Sequence, residues 1–153
     1  MLTRLAVLGG TALLLMPAVA PASATKNEQA SLLRAINVAR AEHGLAPVHV
    51  GPRLERAARA HSRSMLTTQV FAHGSFASRL RVFHVQASLA GENLAWATGS
   101  DASAGAIVQA WLASPPHRRI LLGASFRLVG IGDLAGTFQG APDARVVTVD
   151  FAD

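Results

Sequence analysis

Two short stretches of this chain carry residue types that do chemistry at close spacing: Gly91-Glu92-Asn93-Leu94 and Ser114-Pro115-Pro116-His117-Arg118. Glu92 opens an apolar run, Leu94-Ala95-Trp96-Ala97, that reads as a buried strand. A carboxylate leading into such a strand must be paired or sit at a cavity, because an isolated buried charge is too costly to keep. Two readings of Glu92 stay open from the residue alone: a site carboxylate, or a side chain capping a neighbouring loop through backbone N–H groups. His61 falls on an apolar helical stripe, where a histidine is more often a hydrogen-bonded core residue than a ligand. His73 lies in a turn, Phe71-Ala72-His73-Gly74-Ser75, where a histidine is usually just solvated. There is no cysteine, which excludes a cysteine nucleophile and any thiolate metal site. No serine stands in a nucleophile-elbow pattern, and Ser114 precedes proline with no base assigned to it.

The elements that must position these residues can be followed in chain order. Thr25-Lys26-Asn27-Glu28 has the form of a capping box, after which Leu32, Ile36, Ala39 and His43 share one helical face until Gly44 closes the helix. Leu45 to Val48 is an extended connector, and Pro52 is suited to the first position of a second helix. On that helix Leu54, Ala57, Ala58, His61 and Met65 form the core stripe, with Arg53, Arg56, Arg59 and Arg63 on a solvated face. Ser78 to Phe83 is a short helical piece. Gly99-Ser100-Asp101 is expected to cap a helix whose inner stripe is Ala104, Ile107, Val108 and Trp111, and Ser114-Pro115-Pro116 stops it. Arg127 to Leu134 and Val146 to Phe151 read as two strands joined by a hairpin loop, Gly136 to Asp143. Helices first and strands last argue an α+β fold, with helices layered over a mainly antiparallel sheet.

Composition narrows the function classes. Met1 to Ala24 has the order of a secretory signal: Arg4, an apolar run from Leu5 to Met16, and the small-residue pattern Ala22-Ser23-Ala24. Maturation is expected near Thr25, a retained N-terminal anchor being the alternative, and the apolar run is too short for a stable membrane span. The remaining 25–153 suits one domain stabilised by packing without disulfides, and a monomer is expected. Removing Arg4 from the +5 of the whole chain leaves 13 basic against 9 acidic residues, or +4, carried almost wholly by arginine. That favours anionic surfaces only weakly. No glycine loop is placed to cradle a phosphate, and the few aromatics offer no base-stacking platform, so nucleic acid is not an expected partner.

Taken together, the motifs resemble those of the bacterial branch of the CAP superfamily, the SCP-like domain of secreted and cell-wall-associated proteins. The resemblance spans nearly all of 25–153: Ile36-Asn37-Val38-Ala39-Arg40 with Gly44-Leu45-Ala46-Pro47, then Ala58 to Met65, Phe71-Ala72-His73, Gly91-Glu92-Asn93-Leu94, and Trp111 through Ser114-Pro115-Pro116-His117-Arg118 to Leu122. It implies a three-layer α/β/α sandwich around a central, mainly antiparallel sheet. It also implies a pocket containing His73, Glu92 and His117, which in some members of the family binds a divalent metal. Two imidazoles and one carboxylate are a reasonable zinc-like set with an open position, able to lower the pKa of a bound water. Ser114 falls where many eukaryotic members have a second glutamate and is expected to line the pocket. The chain departs from the pattern at Pro116, in place of the usual glycine, at Ile120, where asparagine is common, and in a shortened loop after His73. The resemblance implies no agreed reaction. The leading expectation is a secreted binding or signalling module whose cleft takes a metal, lipid, other small ligand or envelope component. The rival is a metal-dependent hydrolase, peptidase-like or acting on envelope material, and a third reading makes the pocket a purely structural polar network.

Overall fold

The computed structural model describes residues 22–153, with side chains from residue 26 onward. The expected signal at Met1 to Ala24 lies almost wholly outside the described residues. Helix α1 (Ala22–Glu42) buries Leu32, Ile36 and Ala39 as its periodicity requires, whereas His43 lies exposed beyond the helix end. The helix start expected at Thr25 is overtaken, because α1 already runs through that residue, and the Glu28 carboxylate lies 2.8 Å from the Arg145 guanidinium. After the short strand β1 (His49–Val50), helix α2 (Pro52–Thr68) starts on its proline and buries all five expected stripe residues. Helix α3 (Phe76–Val82) follows, then strand β2 (Ala90–Ala97).

Gly99-Ser100-Asp101 forms a 3₁₀ turn rather than the cap, and it is Ser103 whose hydroxyl accepts from the Ala106 N–H at the start of α4 (Ala104–Ala113). The two prolines stop α4 as expected but also begin a helix that the sequence reading did not foresee, α5 (Pro115–Leu121). A proline at the first helical position has no N–H to waste and a φ already suited to the helix, so one Ser-Pro-Pro unit ends one helix and starts the next. Strands β3 (Leu128–Phe138) and β4 (Ala141–Ala152) are longer than expected, and the supposed loop Gly136 to Asp143 shrinks to Gln139-Gly140. Both turn residues have left-handed φ, 49° and 83°, the backbone of a two-residue turn matched to the twist of a hairpin. The Gln69 side chain at the end of α2 accepts from Gln139 N–H at 2.6 Å, fastening that turn to the helix.

The sheet order is β1-β3-β4-β2, with β1 parallel to β3 and the other pairs antiparallel. Side chains alternate faces along each strand. On β4, Val147, Val149 and Phe151 pack with Leu32, Ile36, Trp111 and Leu121 from α1, α4 and α5. Val146 and Ala152 pack on the other face against Met65 and Leu54 of α2. The result is the α/β/α sandwich expected from the motifs. Close approach of α2 to the sheet depends on two glycines of β3. A Cβ on Gly130 would lie 2.1 Å from the backbone of Leu54, and one on Gly132 would lie 2.3 Å from that of Ala58. The Ser62 hydroxyl, bonded to Gly132 O and Thr148 Oγ1 at 2.9 Å each, pins the helix there.

Candidate functional site

Glu92 sits on β2, an edge strand, with its side chain 2% exposed on the face covered by α2 and α3. His73, in the loop between those helices, places Nδ1 2.8 Å from Glu92 Oε1. Against an ionised carboxylate that nitrogen must be the N–H, which leaves Nε2 as the free lone pair on a ring that is 59% exposed. Arg79, on α3, donates to the other oxygen, Oε2. His61 approaches the same oxygen at 4.0 Å, but its Nε2 lies 2.9 Å from Ala72 O. A carbonyl only accepts, so Nε2 carries the proton and has no lone pair to offer. Burial and the positive charge of Arg79 lower the His61 pKa to about 4, against the bond to Ala72, so the ring is neutral at ordinary pH. His61 is therefore the hydrogen-bonded core histidine expected from its stripe, and it is also a wall of the site. A cleft of about 330 Å³ lined by His61, Ser64, Gly74, Ser75, Ser78 and Arg79 opens beside it.

A second carboxyl completes the group. Asp150 on β4 is the direct cross-strand partner of Glu92, is wholly buried, and has no hydrogen bond to either oxygen; Arg79 Nη2 is 3.8 Å from Oδ1. Like charges directly opposite on one face repel. Burial, followed by the charge of Glu92, pushes the Asp150 carboxyl up to about 8, while burial raises Glu92 to about 7 against the pull of Arg79. Glu92, which accepts from both Arg79 and His73, is the member better able to hold the negative charge. Asp150, which no other donor reaches and whose protonated form can donate to Glu92, is the member better able to hold the proton.

His117 is placed differently. It lies on α5, with Nδ1 2.8 Å from Ser114 Oγ, so Ser114 does have an imidazole beside it, three residues on in the same turn. Among the described residues no carboxylate bonds His117, and it makes no ion-pair contact with Glu92. Its backbone oxygen accepts from Asn93 Nδ2 at 3.0 Å, so Asn93 ties the Gly-Glu-Asn strand to the Ser-Pro-Pro-His helix. Burial lowers the His117 pKa. The sequence reading missed Arg79 and Asp150. Asp150 carried the same signal as Glu92, an acid inside an apolar strand, while Arg79 looked like any arginine on a short helical piece.

The residues present do not fit a divalent ion in this arrangement. Among those described, no three His, Asp or Glu side chains are grouped so as to hold one. The nearest cation to Glu92 and Asp150 is the Arg79 guanidinium, and His61 has its Nε2 turned to a carbonyl.

Comparison with known proteins agrees with the fold and the motifs. The cysteine-rich secretory protein family, CAP, matches residues 33–151. A Bacillus subtilis protein described as the uncharacterized membrane protein YlbC is 34% identical over 106 residues, covering 66% of this chain and 30% of the relative. A second Bacillus subtilis protein, YkwD, is 30% identical over 118 residues, covering 74% of this chain and 44% of the relative. The chain thus spans less than half the length of these relatives. Among solved structures, an outer surface protein from Borrelia burgdorferi superposes with a TM-score of 0.75 at 20% identity, covering 90% of this chain and 98% of that one. An extracellular SCP-domain protein from Bacillus anthracis gives 0.68 at 25% identity, covering 87% and 44%. With a family match over most of its length and the same sandwich in its structural neighbours, the chain belongs to the CAP family, the cysteine-rich secretory proteins, although it has no cysteine of its own.

Proposed function

We propose that this chain is a binding module acting outside the cytoplasm, at the cell envelope or beyond it, and that its cleft takes a small polar ligand or a fragment of envelope material at the His73–Glu92 edge. The observation that carries the reading is the arrangement of His73: one ring nitrogen is locked to the buried Glu92, and the other is free on a ring more than half exposed. Such a group is oriented from within and presented outward, which suits recognition. Among the described residues the Ser114–His117 contact is the only feature that favours hydrolysis, and a hydrolytic pair needs a third group to orient the imidazole. None is supplied among the described residues, so binding is the better-supported reading. An extracellular setting is supported by the charged, apolar and Ala-x-Ala order of Met1 to Ala24 and by the extracellular or outer-surface descriptions of two structural neighbours. No described helix is long and apolar enough to cross a membrane.

Two measurements test this. N-terminal sequencing of exported protein should find a start near Thr25, whereas a start at Met1 means an uncleaved anchor. Histidine side-chain NMR during titration with soluble envelope-polymer fragments should shift His73 and leave His49, on the far edge strand β1, unmoved. Unmoved His73 signals, or new fragment products accumulating under mass spectrometry, would refute the binding reading.

A further inference from the structure

We propose that Arg79 is the resident cation of this cleft: its guanidinium fills the carboxyl pair Glu92–Asp150, so that the chain occupies with its own side chain a donor set that would otherwise take a divalent metal ion. The proposal concerns the same cleft but does not rest on what that cleft binds.

The geometry is that of an occupied site. Arg79 reaches both acids, donating to Glu92 Oε2 and lying 3.8 Å from Asp150 Oδ1. A second nitrogen, Nη1, donates to His73 O at 3.3 Å, and the guanidinium carbon lies 5.4 Å from the centre of the Phe76 ring, within cation–π range. The side chain is 11% exposed, so it is held in the cleft from several sides rather than laid across its mouth. Two acids facing each other across a strand pair need a positive charge or a shared proton, and this site has the means for both. A dication cannot share the position, since it would meet a fixed guanidinium at contact range in a poorly solvated site.

Asp150 supplies an independent observation. A wholly buried carboxyl with neither oxygen hydrogen-bonded is costly, and a guanidinium at 3.8 Å satisfies it only in part. It faces the position that Arg79 fills, and it is the donor a small cation would use if the guanidinium left. As they stand, Asp150, Glu92 and His73 are not grouped to hold an ion; with the guanidinium gone, they are the two carboxylates and one imidazole that would have to close on zinc.

Calorimetric titration of zinc at pH 8, where ionisation of Asp150 is less of a barrier, tests the proposal on the wild type, Arg79→Gln and Arg79→Gln/Asp150→Asn. Arg79→Gln should bind zinc at least about tenfold more tightly than wild type, and the second substitution should remove that gain. Free guanidinium ion should compete with zinc in Arg79→Gln. Wild-type binding within about twofold of the variant, or a gain that survives Asp150→Asn, overturns the proposal. The wild type also tests it alone, through His73 NMR signals under zinc. Unshifted signals at equimolar metal are expected, while saturable one-to-one shifts refute the idea even if the variants fold poorly. Loss of envelope-fragment binding in the earlier NMR titration has no bearing on these outcomes, so the two readings fail separately.

Discussion

Replacing Arg40 by methionine examines the least expected feature of the core. Arg40 lies on α1 with no solvent exposure and, among the described residues, no carboxylate partner. Its Nε donates to Ala46 O at 3.0 Å, Nη1 to Leu121 O at 2.9 Å and Gly123 O at 3.1 Å, and Nη2 to Phe126 O at 3.3 Å. The cation thus serves carbonyls at and beyond the C-terminal end of α5, where the peptide dipoles leave partial negative charge. Burial, and then the nearby charge of Arg127, lower its pKa, which marks the strain of keeping it there. Methionine keeps much of the volume and removes every donor. Ala46 is exposed and Gly123 half-buried, so water can replace the arginine at those carbonyls. The bonds to Leu121 O and Phe126 O are buried; Phe126 O keeps a donor in Arg127 Nη1 at 2.8 Å, whereas Leu121 O is left bare at a cost of about 1–3 kcal/mol. Relief of guanidinium desolvation offsets part of that, leaving a loss of roughly 1–2 kcal/mol. At about 3–5 °C per kcal/mol for a domain of this size, Tm should fall by roughly 3–10 °C. Hydrogen exchange gives the second readout: the Leu122 and Phe126 amides, which bond Arg118 O and Gly123 O, should exchange faster than those of β4. Buried charges can be replaced by apolar side chains at no cost when the fold does not need them. Arg40→Met with unchanged Tm and exchange would mean that this is such a case and that α5 is held by something else.

Three further outcomes follow from the same geometry. Gly132→Ala should destabilise by at least about 1–3 kcal/mol, because its Cβ would lie 2.3 Å from the Ala58 carbonyl oxygen and α2 must lift off the sheet; an unchanged denaturant midpoint contradicts that packing. Trp111→Ala should cost roughly 3–5 kcal/mol, since the side chain is buried and its indole N–H bond to Leu94 O at 2.9 Å is lost with it; wild-type stability would place that face in solvent. Stability should also decline as pH rises from about 6.5 to 8. The folded protein keeps a proton on the Glu92–Asp150 pair, chiefly on Asp150, up to about pH 8, whereas the unfolded chain has already released it, so the unfolded state binds fewer protons in that window. Asp150→Asn should flatten the decline, and equal slopes for the two proteins in urea denaturation across this range would show that the pair does not titrate as described.

Much of the frame was legible because it is written locally. The stripe of α2, its start at Pro52, the stop after Trp111 and the apolar run behind Glu92 each follow from periodicity or from one residue's backbone restrictions, and each stands where expected. The same local logic misled where neighbours compete: Thr25 was read as a cap because the carboxylate three residues on could fold back, yet Glu28 pairs with Arg145 from the far end of the chain. Pro115 and Pro116 read as a stop and were equally a start. The resemblance to a family directed attention to His73 and Glu92, which meet, and to His117 and Ser114, which bond one another. What no local pattern contains is the meeting of Glu92 with Arg79 and Asp150. Alternation shows which face a strand residue takes, but which residue it faces is set by register, and a slip of one position would turn Asp150 to the opposite face. That register depends on a two-residue turn at Gln139-Gly140, clamped by Gln69 from α2, and on the pairing of β4 with an edge strand some fifty residues earlier in the chain. The sequence by itself determined that an acid would enter a buried strand and must find a partner; only the tertiary structure decided that the partners are an arginine from a seven-residue helix and a second acid across the sheet, because non-local pairing, not residue type, brings charges within reach of one another.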